Sequence, residues 1–468
     1  MSFKPMFLTA ALLLAACASA PARNDAAPAS SAQATGVPGV STAQLDPEYW
    51  IRRQTGADRT VLDRAAIAAQ NEKLERTDDS VHDIEALPAS LDRAQVKAWI
   101  EGLSKRPSKA VYDERGREVP AKTLDALVAD LRLDAVPASQ SVRYGLVTRR
   151  GDLRAFPTKL RVFSRQGDTD IDRFQESALF PGTPVAIVHE SRDRKWWFVV
   201  SELYAAWIEK DKVAEGGKDS VFAYARKTPY LVVTGAKVRT VYTPEQPQVS
   251  DLQLDMGIRL PVLADWPVDE PVNGQNPYSS HVVQLPVRGE NGRLAFSPAL
   301  ISRNADVRAD YLPMNRANIL RQGFKFLGER YGWGHSYNAR DCSGFVSEIY
   351  RSFGVTLPRN TSDQSVSPAL NRIHFEAGDG RDKRDPVVRD LQVGDLVYIP
   401  GHVMMVIGHY NGMPYVIHDT NGGSWLGPDG KVVGGKLNGV SVTPLSTLMF
   451  DEQKSYVDRI TNIQRIRP

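Results

Sequence analysis

The stretch "RDCSGFVSEIYRSFG", Arg340 to Gly354, holds the second of the chain's two cysteines. Phe345, Val346, Ile349, Tyr350 and Phe353 recur at i, i+1, i+4, i+5 and i+8, one apolar stripe at helical spacing, and Gly354 is a stop signal. Asp341 is a residue type that caps a helix start, so Cys342 is predicted in the first turn. There the unpaired backbone N–H groups and the helix dipole favour a thiolate, the nucleophilic form of the side chain. The stripe needs a core to pack on, and a nucleophilic thiol needs a base beside it.

The chain has eight histidines, and "VGDLVYIPGHVMMVIGHYNGMPYVIHDT", Val393 to Thr420, supplies three of them. Residues 394–400, 402–410 and 415–420 read as consecutive antiparallel strands joined by tight turns at Gly401 and Asn411-Gly412. His402 opens the middle strand and His418 lies near the end of the next, 16 residues on, so a hairpin brings them roughly opposite each other. His409 is close to the turn and far from the strand start; it is the alternative to His418. A zinc site of Cys342 and histidines would want CxxC or HExxH spacing, which the sequence lacks, and the reading needs no cofactor.

"RDCSGF", "LPRNTSDQS", "VGDLVYI", "GHVMMVIG" and "YVIH", in that order, resemble the NlpC-type papain-like cysteine peptidases of bacterial cell-wall peptides. The resemblance implies an α+β fold, with Cys342 as nucleophile, His402 as general base and His418 as the orienting third member. It implies further that the amine of an L-Ala-γ-D-Glu end is held by an acidic residue before the cysteine, by nearby aromatics, and by an acidic residue and a tyrosine from a preceding small barrel. The matching positions are Asp341, Ser343, Tyr331 and Trp333, with Asp170 and Tyr204 as the barrel pair.

Upstream the texture changes twice. Residues 141–225 and 226–300 carry short β-like runs broken by Gly, Pro, Asp and Asn, such as "TPVAIVHES", "KWWFVVSELYAAWI" and "PYLVVTGAKVRTVY", which suit two small barrels. The first resembles the bacterial SH3-like domain of certain cell-wall peptidases; Trp196, Trp197 and Trp207 read as its core. Residues 46–140 read as helical, with Asp46 as cap, Pro47 at the first helical position, and Leu91, Val96, Trp99, Ile100 and Leu103 on one face. Residues 301–468 complete the chain as the peptidase domain. "RDKRD" at residues 381–385 reads as a solvated loop.

The N-terminus combines Lys4, a short apolar core "MFLTAALLL" and "LAAC" ending at Cys17, an exported leader too short for a spanning helix. It resembles a bacterial lipobox, which implies residues 1–17 as leader, lipid on Cys17, and attachment at the periplasmic face of a membrane, the outer one favoured by Ala18. Residues 18–45, rich in Ala, Ser, Pro and Gly, read as a flexible tether. With Cys17 lipidated, Cys342 has no disulfide partner, and a lone thiol in an oxidising compartment points to chemistry.

Composition bounds the rest. Fifty-eight basic against 55 acidic residues, net +3, argue against nucleic acid as a partner. The expected partners are peptidoglycan stem peptides and a membrane. The resemblance to the NlpC-type peptidases implies hydrolysis of the γ-D-glutamyl–diamino acid bond in peptides with a free N-terminal L-Ala. An amidase or endopeptidase on polymeric wall, or a non-enzymatic wall-binding lipoprotein, are the rival readings.

Overall fold

The computed structural model describes residues 33–427 and 429–467, so Cys17 and the leader lie outside the described residues. The decisive stretch folds as the pattern requires. Asp341 accepts from the Gly344 N–H at the head of a helix spanning Cys342–Arg351, and the chain turns at Gly354 with φ of 85°. Phe345, Val346, Ile349, Tyr350 and Phe353 are each fully buried. They pack on one face of a six-stranded antiparallel sheet, meeting Val403, Met405, Ile407, Tyr415 and Ile417. The sheet runs in the order Asn371–His374, Asn462–Arg465, Leu396–Ile399, His402–Tyr410, Met413–Thr420, Gly439–Pro444. Met404, Val406 and Val416 point the other way, into a second core with Phe375, Val388 and Ile460. Burial on both faces is why "VMMVI" is an unbroken apolar run and not an alternating one.

Asn411 and Gly412, with φ of 49° and 75°, make the two-residue turn that joins the strands His402–Tyr410 and Met413–Thr420. The ladder beyond it contains one irregularity: Gly408 pairs with Tyr415, yet Val406 pairs with Val416, leaving Ile407 as a bulge. That extra residue decides which face His402 occupies. An unbroken ladder from the Tyr410–Met413 pair would place His402 and His418 on opposite faces; the bulge shifts the register by one and brings them to the same face. Gly408 accommodates the distortion with φ of 136°, and a Cβ there would lie 3.2 Å from the Trp50 ring.

Residues 143–216 form a seven-stranded antiparallel sheet, with Trp196, Trp197 and Trp207 buried inside. Residues 230–308 form three short ladders around a separate core of Leu231, Val233, Leu254, Leu260, Val283 and Ile301. The N-terminal helices Pro47–Ile51, Arg64–Thr77, Arg93–Leu103 and Ala121–Asp130 do not share one core. Trp50, Leu62 and Ile67 join the peptidase core, whereas Val96, Ile100, Leu124 and Leu127 pack on the first barrel. "RDKRD", expected as a loop, opens a helix over Arg381–Arg389, because Arg384 turns inward and reaches the carbonyls of Glu376 and Ile460.

The three units meet at a buried ionic cluster directly before the nucleophile. Arg340, fully buried, donates to Asp255 of the second barrel at 2.8 Å, to Glu329 at 2.7 Å and to Glu348 at 2.7 Å. Arg150 of the first barrel donates to the same Asp255 carboxylate and to the carbonyls of His335 and Ala339. The helix start therefore has its position set by side chains from all three units. Among the described residues no helix is long and apolar enough to cross a membrane.

Candidate active site

Cys342 is 5% exposed and opens into a cavity of about 450 Å³ lined by Tyr331, Trp333, Asp341, Ser343, Arg359, Thr361, Glu176 and the turn Ile399–Gly401 that precedes His402. The sulfur lies 3.5 Å from the Thr361 hydroxyl. The Val403 N–H also favours its ionised form. Burial nevertheless pushes the thiol up to about 11, with the Asp341 and Asp419 carboxylates adding to the effect. The expected resting thiolate is thus reversed: one helix terminus cannot offset loss of water and two neighbouring carboxylates. Asp419 is itself fully buried, and neither of its oxygens has a hydrogen-bond partner among the described residues. Burial, and after it Asp341 and Glu329, hold its carboxyl well above the usual range.

His402 and His418 meet. His402 Nε2 lies 2.7 Å from His418 Nδ1, and His418 Nε2 lies 3.0 Å from the Thr443 hydroxyl. Burial lowers His402 to about 4 and holds His418 well below the usual imidazole range, so both rings are neutral near pH 7. No hydrogen bond joins His402 to Cys342; the sulfur turns to Thr361 instead. If His402 Nδ1 is to accept a proton, its Nε2 must carry one and donate to His418 Nδ1. His418 Nε2–H then donates to Thr443, a consistent chain of tautomers. His409 lies elsewhere, beside Val388 and Asp390.

The far wall of the cavity is ionic. Arg359 places all five N–H donors: Nη1 and Nη2 on Asp341 at 3.2 and 2.8 Å, Nη1 on Ser343 at 2.8 Å, Nε on Ser177 at 2.6 Å, and Nη2 on His335 at 3.0 Å. Burial alone would raise Asp341, but Arg359, His335 and the Gly344 N–H hold it at about 2. Asp341 and Ser343 are therefore at the site as expected, with the Asp341 charge already matched. Tyr331 and Trp333 line the cavity; the Trp333 indole donates to the Gln175 carbonyl at 3.0 Å.

Neither residue of the expected barrel pair lines the cavity, and Tyr204 meets it only through its hydrogen bond to Glu176. Asp170 is claimed by Arg330, Lys436 and Asn438 and is absent from the cavity lining. The barrel carboxylate that lines the cavity is Glu176, six residues on, which accepts from the Tyr204 hydroxyl at 2.6 Å. Glu176, Arg359, Thr361 and Thr443 are the residues that sequence reading missed. Only Arg359 and Thr361 had a signal, since both fall within "LPRNTSDQS".

Residues 328–429 match the NlpC/P60 family and residues 161–209 the SH3 domain of SH3b1 type. The chain carries an NlpC/P60 domain behind an SH3b domain. NlpC/P60 proteins are a family of cysteine peptidases. A gamma-D-glutamyl-L-lysine dipeptidyl-peptidase of Bacillus cereus (strain ATCC 10987 / NRS 248) is 26% identical over 286 residues, 59% of this chain and 75% of that protein. A probable endopeptidase p60 of Listeria seeligeri is 30% identical over 125 residues, 24% of this chain and 22% of its own length. The structure of an NlpC/P60 endopeptidase from Photobacterium damselae subsp. piscicida shares the fold, with a TM-score of 0.70 at 18% identity, over 89% of this chain and 96% of that one. The six-stranded sheet, the Cys342 helix and the His402 strand all fall within the NlpC/P60 domain or its C-terminal continuation.

Proposed function

We propose that this NlpC/P60 protein is a cysteine peptidase of cell-wall stem peptides that cleaves the γ-D-glutamyl–diamino acid bond behind a free N-terminal L-Ala. The family match and the dipeptidyl-peptidase relative support cell-wall peptide hydrolysis. The observation that carries the finer specificity is the charge of the cavity's end. Asp341 and Arg359 form a direct ion pair, whereas Glu176 is hydrogen-bonded only to the neutral Tyr204 hydroxyl, with Arg359 and Arg154 acting on it without a hydrogen bond. A carboxylate in no direct ion pair, in a cavity also lined by Tyr331 and Trp333, suits an ammonium group and penalises a blocked amine, which could not pair with it.

In the reaction, Cys342 Sγ swings from Thr361 toward His402 Nδ1 and gives up its proton there as it attacks the γ-carbonyl carbon. Backbone N–H groups of the first helical turn, that of Cys342 included, stabilise the oxyanion. Protonated His402 then delivers its proton to the leaving amine of the diamino acid, and the C–N bond breaks to leave a thioester. A water, deprotonated by His402, hydrolyses the thioester and restores the thiol. His418 and Thr443 keep the Nε2-protonated tautomer in place throughout. Because both partners rest neutral, the proton moves with the attack and not before it.

Lipid attachment at Cys17 and a periplasmic, outer-membrane location complete the proposal; the leader sequence is their support. The test of specificity is digestion of L-Ala-γ-D-Glu-diamino acid peptides with and without an N-acetyl group. Cleavage of the free-amine peptide alone is expected. Equal cleavage of both would replace this reading with that of an endopeptidase on polymeric wall. Loss of radiolabelled fatty acid from the Cys17→Ala protein tests the anchor, and retained label would refute it.

A further inference from the structure

The loop Trp333–Asn338 threads between the first barrel and the Cys342 helix in an unusual backbone conformation. Gly334, His335, Tyr337 and Asn338 all have positive φ, 56°, 65°, 60° and 54°, which side chains other than glycine adopt at a cost. The cost is offset by where the conformation puts one side chain. His335, 3% exposed, lies with Nδ1 3.0 Å from Arg359 Nη2 and Nε2 3.2 Å from Glu348 Oε1. A guanidinium only donates, so Nδ1 must be bare; the ring proton is on Nε2 and is donated to Glu348. The other Glu348 oxygen accepts from Arg340, which holds Asp255 of the second barrel. One continuous chain therefore runs Asp255, Arg340, Glu348, His335, Arg359, Asp341, and ends on the Gly344 N–H of the nucleophile helix.

We propose that His335 is a positioning residue for the amine-binding end of the cavity: fixed as the Nε2-protonated tautomer, it takes the one Arg359 donor that Asp341, Ser343 and Ser177 leave over, and so holds the Arg359–Asp341 wall at a set angle to Cys342 and Glu176. Without it, Arg359 is left with a free donor in a buried site and can rotate to compete for Glu176, the carboxylate that the ammonium needs. His335 touches neither thiol nor scissile bond, so its loss weakens binding of the free-amine end and leaves the chemical step largely intact. The inference rests on the reading of that cavity end as an amine pocket.

The test uses the full chain, and His335→Gly, which suits the positive φ, and His335→Asn, which suits it too and keeps an acceptor near Nδ1. For the free-amine tripeptide, His335→Gly is expected to raise KM about tenfold with kcat within about twofold, and His335→Asn to recover most of the loss. An unchanged KM in His335→Gly, or a fall confined to kcat, would overturn the proposal. Nitrogen-15 spectra of the wild-type histidines give a second readout that needs no variant to fold: a bare Nδ1 and protonated Nε2 at His335 is expected, and a protonated Nδ1 would overturn it. The two readings fail differently. If wild type cleaves the N-acetyl peptide equally well, the amine pocket falls and this proposal with it; if wild type discriminates and His335→Gly discriminates equally, only the His335 role falls.

Discussion

Glu176→Gln isolates the charge that the proposed specificity depends on. The substitution is nearly isosteric, and a glutamine oxygen can still accept from Tyr204, so the 2.6 Å contact and the barrel wall persist. What goes is, among the described residues lining the cavity, the carboxylate that is not hydrogen-bonded to Arg359. A hydrogen bond to a charged partner contributes roughly 1.5–3 kcal/mol where a neutral one contributes about 1. The difference, about 0.5–2 kcal/mol at about 1.4 kcal/mol per tenfold, should lower kcat/KM on the free-amine peptide by roughly 2- to 30-fold, mostly in KM. Removing only the hydroxyl, in Tyr204→Phe, should cost less than about tenfold. Burial raises the Glu176 carboxyl, so in wild type the affinity should fall as pH drops through that raised value, and Glu176→Gln should lose this limb. The assay is steady-state hydrolysis of free and N-acetylated peptides by both proteins between pH 5 and 8. A Glu176→Gln enzyme within about twofold of wild type on the free-amine peptide would refute the charge argument.

Three further outcomes follow from the site and its support. With the thiol pushed to about 11, iodoacetamide should alkylate Cys342 slowly at pH 7 and faster as pH rises; a pH-independent rate above pH 6 would mean a resting thiolate. Arg340→Met should cost about 3 kcal/mol by urea unfolding, the low end of the range for breaking a buried ion pair, because Asp255 keeps Arg150 and Glu348 keeps His335; a change under 1 kcal/mol would contradict the cluster's role. Deleting Ile407 makes the Val406–Val416 and Gly408–Tyr415 pairs adjacent, so His402 should stay on the face of His418 and hydrolysis should persist; a protein that still folds by circular dichroism but has lost hydrolysis would contradict the register argument.

The parts of this protein that were legible in its sequence are those set by neighbours along the chain. The apolar stripe after Cys342, the Asp341 cap and the Asn411-Gly412 turn each depend on a few consecutive residues, and each folds as read. The pairing of His402 with His418 was legible only in outline: it depends on the bulge at Ile407, and nothing in "VMMVIGHY" shows which residue the ladder skips. Carboxylates six residues apart, Asp170 in a loop and Glu176 in the strand Gln175–Leu179 that follows, differ in role because of how the barrel docks, so residue type could not separate them. The state of Cys342 was misread for a related reason. The helix dipole and the neighbouring Asp341 carboxylate are local and visible in sequence, whereas the burial that does most to outweigh the dipole comes from packing against distant parts of the chain. Arg340, without a role in sequence, proves to be the hub on which three units converge.

The central claim is that Cys342 and His402 hydrolyse the γ-D-glutamyl–diamino acid bond. Mass spectrometry of products from defined stem peptides, with wild type beside Cys342→Ala and His402→Ala, tests it most directly. Release of L-Ala-γ-D-Glu by wild type alone is the expected result; the same dipeptide from either variant, or cleavage at another bond, would contradict it.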